Sequence, residues 1–390
     1  MRRIYFDHNA TTPVDPEVLS AMLPFFAETY GNASSIHSFG QQARAAVEEA
    51  RESVARLLAA RPAEIVFTSG GTEADNLAIL GVVRASRAGQ KHVITSQIEH
   101  HAVLNACQAL ETEGVEVTYL PVSSNGVVDP AAVRSALKPH TVLLSVMLAN
   151  NELGTIQPVA EIAKIAAEAG IAFHTDAVQA AGKIPLDVSR LGAGLLSLSG
   201  HKLYAPKGVG ALYVSAGTRL APIAFGGHHE RDRRPGTENV PGIVALGRAA
   251  QLALDRLDSE PARIAALRDR FERELLARIS GVRINGAGAP RVANTSNVTF
   301  RFIEGESLVI ALDLKGVSCS TGAACSSGAI EPSHVLTAIG LSPQDARASL
   351  RFSFGHANSE ADVDAALAAL ESAVRHLREL SPLAPRASRS

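Results

Sequence analysis

Long apolar runs, a surplus of either charge and cysteine are all scarce in this sequence, and each scarcity removes a class of protein. No window approaches the roughly 18 consecutive apolar residues that a membrane-spanning helix requires. The apolar stretch behind Arg2 and Arg3 is too short for the core of a signal peptide. A soluble protein of the cytoplasm, with no membrane partner, is the expectation. Lys and Arg number 37 against 39 Asp and Glu, a formal charge of −2, so there is no one-signed field of the kind that holds nucleic acid. The three cysteines, Cys107, Cys319 and Cys325, are odd in number and include no CxxC pair. They build no disulfide framework and suit a reducing compartment. Charged residues at 19% against hydrophobic ones at 46% exclude a disordered chain. Also missing are a Walker loop and the GxGxxG fingerprint with its ribose-binding acid, which argues against a nicotinamide dehydrogenase.

What is present is alternation. Apolar, β-branched runs at 65–69, 92–96, 115–122, 141–147, 171–176, 194–199 and 210–215 read as buried strands. Helical patterns separate them. Over Gln41–Ala59, Val47, Ala50, Val54 and Leu57 recur at three- and four-residue spacing, and Pro158–Ala169 opens with a proline suited to a first turn. Strand and helix in turn predict an α/β fold: a mainly parallel seven-stranded sheet covered by helices, with its ligand crevice at the carboxyl ends of the strands. From about Val240 the pattern changes to a long Ala/Leu/Arg helix reaching Ala277, strands near 281–303 and 316–319, and a closing helix over Glu360–Leu380. This reads as a smaller α+β unit. The expected division is a large domain over 13–255, a small domain made of 1–12 and 256–380 that carries the Cys325 loop, and a polar tail over 381–390.

The strand ends carry the unusual chemistry. Strand 65–69 runs into Gly70, Gly71 and Thr72 at a helix start, where glycines admit an anion closely and first-turn N–H groups can hold a phosphate; an ordinary tight turn is the competing reading. After 92–96 come Glu99, His100 and His101. Adjacent histidines on a helix point about 100° apart and converge poorly on a metal, so one functional imidazole is the better reading. Strand 171–176 places His174 and Asp176 on one side, and a carboxylate at the buried end of a strand needs a partner. It is either an N-cap or the holder of a protonated ring nitrogen. Strand 194–199 delivers Ser199, His201 and Lys202. A phosphate nest, a carboxylate for a pyridinium nitrogen and a lysine for a Schiff base are the three groups that pyridoxal phosphate requires.

Seven strings in this order, FTSGGTEADN, EHHAVL, NNELGTIQP, HTDAVQ, SGHKLYAPKG, RRPGTEN and CSTGAACSSGAIEPSHVL, resemble those of the cysteine desulfurases of the nitrogen-fixation and housekeeping type. These are class V, fold-type I pyridoxal-phosphate enzymes. The resemblance runs from Tyr5-Phe-Asp-His-Asn-Ala-Thr-Thr to Leu350-Arg-Phe-Ser-Phe-Gly. It implies that Lys202 carries the cofactor aldehyde, that Asp176 holds the pyridinium nitrogen, and that Gln179 and Asn151 face the ring oxygen. It implies further that Gly71, Thr72, Ser199 and His201 hold the phosphate, while His100 stacks on the ring and moves protons. Thr237 would reach the phosphate of a second subunit, which makes a homodimer. Arg351, with Asn151 and Asn32, would bind the substrate α-carboxylate, for which a planar fork is suited.

Cys325 separates this family from its relatives. It lies in Cys319-Ser-Thr-Gly-Ala-Ala-Cys325-Ser-Ser-Gly, too rich in small and hydroxyl residues to form a core, so an exposed loop with an available nucleophile is expected. Only the thiolate attacks, and its ordinary pKa of about 8.5 calls for help from a nearby group. The implied reaction converts L-cysteine to L-alanine, leaves the sulfur on Cys325 as a persulfide, and passes it to an acceptor protein such as an iron–sulfur scaffold. Cys107, on the apolar face of its helix, and Cys319, ending an apolar run, read as buried and structural. Departures from the family strings are Ala205 in place of glycine, His228-His229 before Glu230, and His356 in place of arginine, the last expected to bear on partner docking. A selenocysteine lyase or class V aminotransferase is the alternative within enzymes. From another class comes an iron–sulfur assembly partner, with Cys325 as one ligand of a transient, shared cluster.

Overall fold

The computed structural model describes residues 3–322 and 332–382. Seven strands form the main sheet: β2 (Ile65–Thr68), β3 (His92–Ser96), β4 (Glu116–Leu120), β5 (Thr141–Ser145), β6 (Ala172–Asp176), β7 (Leu195–Ser199) and β8 (Gly210–Val214). The short β1 (Ile4–Tyr5) precedes them and belongs elsewhere. Their spatial order is β2-β8-β7-β6-β5-β3-β4. β4, β3, β5, β6 and β7 pair in parallel, and β8 runs antiparallel to both β7 and β2. Six strands therefore point one way, and five of their carboxyl ends open on one edge. The apolar runs become strands because all of β2, β3, β7 and β8 is buried; such strands read as continuous hydrophobic stretches, as expected for a sheet covered on both faces.

The helical pattern at Gln41–Ala59 forms the Ser38–Leu57 helix, with Ala43, Val47, Ala50 and Val54 buried against the core. One helix expected from Val240 to Ala277 is instead two, Val240–Arg256 and Glu260–Arg278. Ile243 and Leu246 of the first join the core of the main sheet, whereas Ile264 and Phe271 of the second join another core. A single straight helix could not serve both. We place the division between the two units at this break.

The second unit carries β9 (Val282–Asn285), β10 (Thr295–Phe300), β11 (Val317–Ser318) and β12 (Ser349–Ser353). β10 lies between β9 and β12, antiparallel to both, and β1 pairs in parallel with β11. Phe6, from the N-terminal segment, packs with Phe271, Phe352 and Phe354 at the centre of this core. The chain thus starts in the second unit, crosses to the first, and returns. That crossing lays residues 7–12 over the strand ends of the main sheet. Among the described residues no helix is long and apolar enough to cross a membrane.

Candidate active site

A cleft of about 590 Å³ lies where β2, β3, β5, β6 and β7 end. At one end, β2 turns through Gly70 into the Gly71–Ala85 helix. A Cβ on Gly71 would stand 2.8 Å from Val178 Cγ2 and 3.4 Å from Ser199 Cβ. Only glycine lets the helix start approach Ser199 this closely, and the free N–H groups of that first turn attract an anion. Glu73 is kept from opposing one. Its Oε2 accepts from Ser69 N at 2.7 Å, and Arg234 Nε donates to its Oε1 at 2.8 Å. His201 rests with Nδ1 3.2 Å from Thr11 Oγ1. Burial first, then the charges of Lys202 and Lys207, push its pKa down to about 4, so the ring is neutral.

At the centre, Asp176 ends β6 and is 5% exposed. Val178 N donates to its Oδ1 at 2.8 Å, and its other oxygen has no partner among the described residues. Two further acids lie beneath it, Asp75 and Glu99, both fully enclosed. Burial and the Asp176 charge raise Asp75 well above the usual carboxylate range, because like charges in a dry site do not both ionise. Glu99 accepts from Ser96 Oγ at 2.5 Å and from Met147 N at 3.0 Å, yet burial still pushes it up to about 8. His174, with Nε2 3.5 Å from Asp75 Oδ1, has Nδ1 2.8 Å from Ser145 Oγ and Nε2 3.0 Å from Ser197 Oγ. Burial holds it down at about 3.

At the other end stands Lys202. Its Nζ donates to the carbonyls of Asn9 at 2.5 Å and Ala10 at 2.6 Å. Burial, with Arg351 adding to it, lowers its pKa to about 8, so a neutral amine is within reach near neutral pH. Arg351, on β12 and 4% exposed, donates from Nη2 to Asp7 Oδ1 at 2.7 Å and from Nη1 to Asn151 O at 3.1 Å. Its Nε is buried without a partner among the described residues. His100 caps the His101–Thr112 helix, accepting from Ala102 N at 3.1 Å, and its ring opens on the cleft. Burial first, then Lys202, lowers its pKa.

Residues 4–366 match the Aminotransferase class-V family. The chain is 51% identical over 381 residues to a cysteine desulfurase IscS of Dictyoglomus turgidum, which covers 98% of this chain and 97% of that one. To a cysteine desulfurase of Gluconacetobacter diazotrophicus it is 51% identical over 384 residues, 98% of this chain and 96% of the other. Among solved structures, a NifS-like protein superposes with a TM-score of 0.90 at 37% identity, covering 96% of this chain and all of the other. SspA in complex with cysteine superposes with a TM-score of 0.80 at 39% identity, covering 90% and 98%.

The chain belongs to the class-V aminotransferase family, in its cysteine desulfurase branch. Of the residues singled out from the sequence, Gly71, Thr72, His100, Asn151, Asp176, Gln179, Ser199, His201, Lys202 and Arg351 share the one cleft. Asn32 and Thr237 are not in its wall. Asn32 is exposed, with Oδ1 accepting from Ser34 N, and Thr237 is exposed on the loop that follows Glu230. That loop is anchored. Glu230 takes both terminal nitrogens of Arg51 at 2.7 Å and accepts from Phe67 N, which holds Glu230, Arg231 and Asp232 at positive φ against their own preference. Cys325 lies outside the described residues. Cys107 and Cys319 are buried, and burial pushes the Cys107 thiol up to about 12 and that of Cys319 higher still.

His101 faces His334 at 4.8 Å, but among the described residues no three His, Cys, Asp or Glu side chains converge as a metal site. His356 stacks on Tyr204 at 4.1 Å and contacts Arg256 behind Lys202. The second layer, namely Asp7 and Asn9 from the N-terminal segment, Asp75 and Glu99 below, and Lys183 behind, received no role from the sequence, although Glu99 stood out at its strand end. The polar density of Asp7-His-Asn-Ala-Thr-Thr was the available signal for the first two.

Proposed function

We propose that the protein is a cysteine desulfurase that converts L-cysteine to L-alanine and places the sulfur on Cys325, with pyridoxal phosphate as cofactor. The observation that carries this reading is Lys202. It is a half-buried lysine with no carboxylate in contact among the described residues, lowered toward neutrality, between an anion cradle and a buried arginine. The residues suit the cofactor. Gly71 leaves the space that a Cβ would fill, Ser199, Thr72 and His201 supply neutral donors there, and Asp176 keeps one oxygen free for a protonated ring nitrogen. When bound, pyridoxal phosphate supplies the electron sink that lets the Cα proton leave and the C–S bond break.

The chain supplies the rest. Arg351 receives the α-carboxylate of L-cysteine, sharing its fork with Asp7, while Lys202 as a free amine carries the proton away from Cα. Asp176 holds the ring-nitrogen proton in place. The Cys325 thiolate attacks the substrate sulfur: the C–S bond breaks, an S–S bond forms, and the β-carbon takes a proton. L-cysteine and one thiol become L-alanine and one persulfide, with no outside oxidant. A sulfur-acceptor protein then collects the sulfur. Exposed Leu23, Phe26, Tyr30 and Ile36 follow one another along residues 23–36 and support pairing with a second copy, toward whose cleft Thr237 would reach. A cytoplasmic setting fits an odd count of three cysteines with no CxxC pair.

Borohydride reduction of the protein loaded with pyridoxal phosphate, followed by peptide mass analysis, tests the assignment. The reading expects the phosphopyridoxyl group on Lys202. Its appearance on Lys183 or Lys207 instead would overturn the placement.

A further inference from the structure

The reading above leaves Lys183 without a task, although its surroundings are unusual. Its Nζ donates to Gln179 Oε1 at 2.7 Å and to Asn9 Oδ1 at 3.4 Å, and no carboxylate pairs with it among the described residues. The residue as a whole is partly exposed, but protein surrounds its amine. Burial first, then the charges of Lys202 and Arg351, draw its pKa down to about 7. A cation held by amide oxygens alone, beside two other cations, is an expensive arrangement for stability. A merely structural site would be better served by an acid or an apolar side chain.

The connections lead to the reacting amine. Gln179 Nε2 donates to Asn9 O at 3.0 Å, and that same carbonyl accepts from Lys202 Nζ at 2.5 Å. Asn9 is 2% exposed and held from every side: its Nδ2 donates to Thr295 Oγ1 at 2.8 Å and Asn151 O at 3.0 Å, and its Oδ1 accepts from Asn294 Nδ2 at 2.9 Å. The Gln179 carboxamide has two possible orientations, and a cation permits only the one in which Oε1 points back and the NH₂ group points toward Asn9 and the cleft. We propose that Lys183 is a positioning residue: it fixes the Gln179 amide with its NH₂ group facing the cofactor site and, through Asn9, seats the Lys202 amine.

A consequence follows from charge. The titratable and charged groups facing Lys183 are Lys202, Arg351 and His8. Across the cavity that Lys183 and Lys202 both line stand Asp15, Tyr204, Arg256, Glu260 and His356. Where Lys183 carries its proton, removing that charge from the side of Lys202 makes a proton on the Lys202 nitrogen easier to keep.

This inference rests on Lys202 as the cofactor lysine but not on sulfur transfer, so the test follows cofactor binding. Wild type, Lys183→Met, Lys183→Gln and Lys183→Arg are loaded with pyridoxal phosphate, and the visible absorbance is titrated against pH alongside cofactor affinity and the melting temperature. The expected result is a midpoint raised by about half a unit to one unit in Lys183→Met and Lys183→Gln, with cofactor affinity roughly tenfold weaker. Lys183→Arg restores the midpoint. If both neutral variants titrate and bind as wild type does, the positioning role is overturned while the assignment of Lys202 stands. If wild type gains no visible band at all, both fall. Should Lys183→Met fail to fold, Lys183→Gln gives the same readings, since it keeps a polar group for Gln179 and loses only the charge.

Discussion

The two ends of the cleft are built on different principles. The anion end consists of backbone N–H groups, hydroxyls and a neutral imidazole set on one rigid helix start and one strand end, with Glu73 tied away by Arg234. The end where we propose that substrate binds is made of full charges, Lys202, Arg351 and Asp7, brought together from residues 7, 202 and 351, and Arg351 Nε has no partner there among the described residues. An end that never changes its ligand is pre-formed and neutral. An end that must bind, react and release keeps charges poised and incompletely paired.

That contrast can be broken from the middle, where the largest effect is expected. Asp176→Ala should lower the turnover of L-cysteine by about a thousandfold, since it removes the carboxylate proposed to hold the ring-nitrogen proton. Near-normal turnover would show that Asp75 or Glu99 substitutes for it. At the substrate end, Arg351→Lys removes the fork but keeps the charge. The KM for L-cysteine should rise roughly 10- to 100-fold, with cofactor affinity unchanged. Equal losses in both would mean that the two ends are not separable. Gly71→Ala works in reverse, because the added methyl meets Val178 at 2.8 Å. It should weaken cofactor binding roughly tenfold and leave KM alone once the site is saturated.

The smallest effect concerns pH and stability. His174 is held near 3 against an ordinary 6.5, so the unfolded chain takes up a proton that the folded one refuses, and stability falls as pH drops from about 6.5 toward 3. Glu99 behaves oppositely: raised from 4.5 to about 8, it keeps its proton in the fold while the unfolded chain releases it, so stability falls as pH climbs through that window. Glu99→Gln should flatten the alkaline side by on the order of 1–3 kcal/mol, as urea unfolding at pH 6 and pH 8.5 would measure. An unchanged slope would remove Glu99 as its cause.

The same contrast separates what the sequence made legible from what it hid. β2, β3, β6 and β7 announce themselves by buried apolar runs, and Gly71, Asp176, Ser199 and Lys202 follow directly at their ends, so local pattern and strand-end position were enough. The break between Arg256 and Glu260 did carry a local signal, Ser259 at the cap and Pro261 in the first turn of the next helix, but the Ala/Leu/Arg pattern running through it masked the stop, which the two separate cores make plain. Asp7 and Asn9 were hidden for a related reason. Their partners Arg351, Lys202 and Asn294 lie between 193 and 344 residues away, and no local spacing encodes such contacts. Asp75 is one polar residue of the helix after Gly71, and only the sheet packed against that helix places it beneath Asp176.

The central claim is that one thiol and one amine divide the reaction: Lys202 works on Cα and Cys325 takes the sulfur. It is tested most directly by incubating L-cysteine and a reducing thiol with wild type, Cys325→Ser and Lys202→Ala, and measuring alanine and sulfide together. The account predicts equal amounts of alanine and sulfide from wild type and neither from Lys202→Ala. It predicts that Cys325→Ser binds L-cysteine, shown by a change in visible absorbance, but yields neither product catalytically. Sulfide released by Cys325→Ser at the wild-type rate would contradict it.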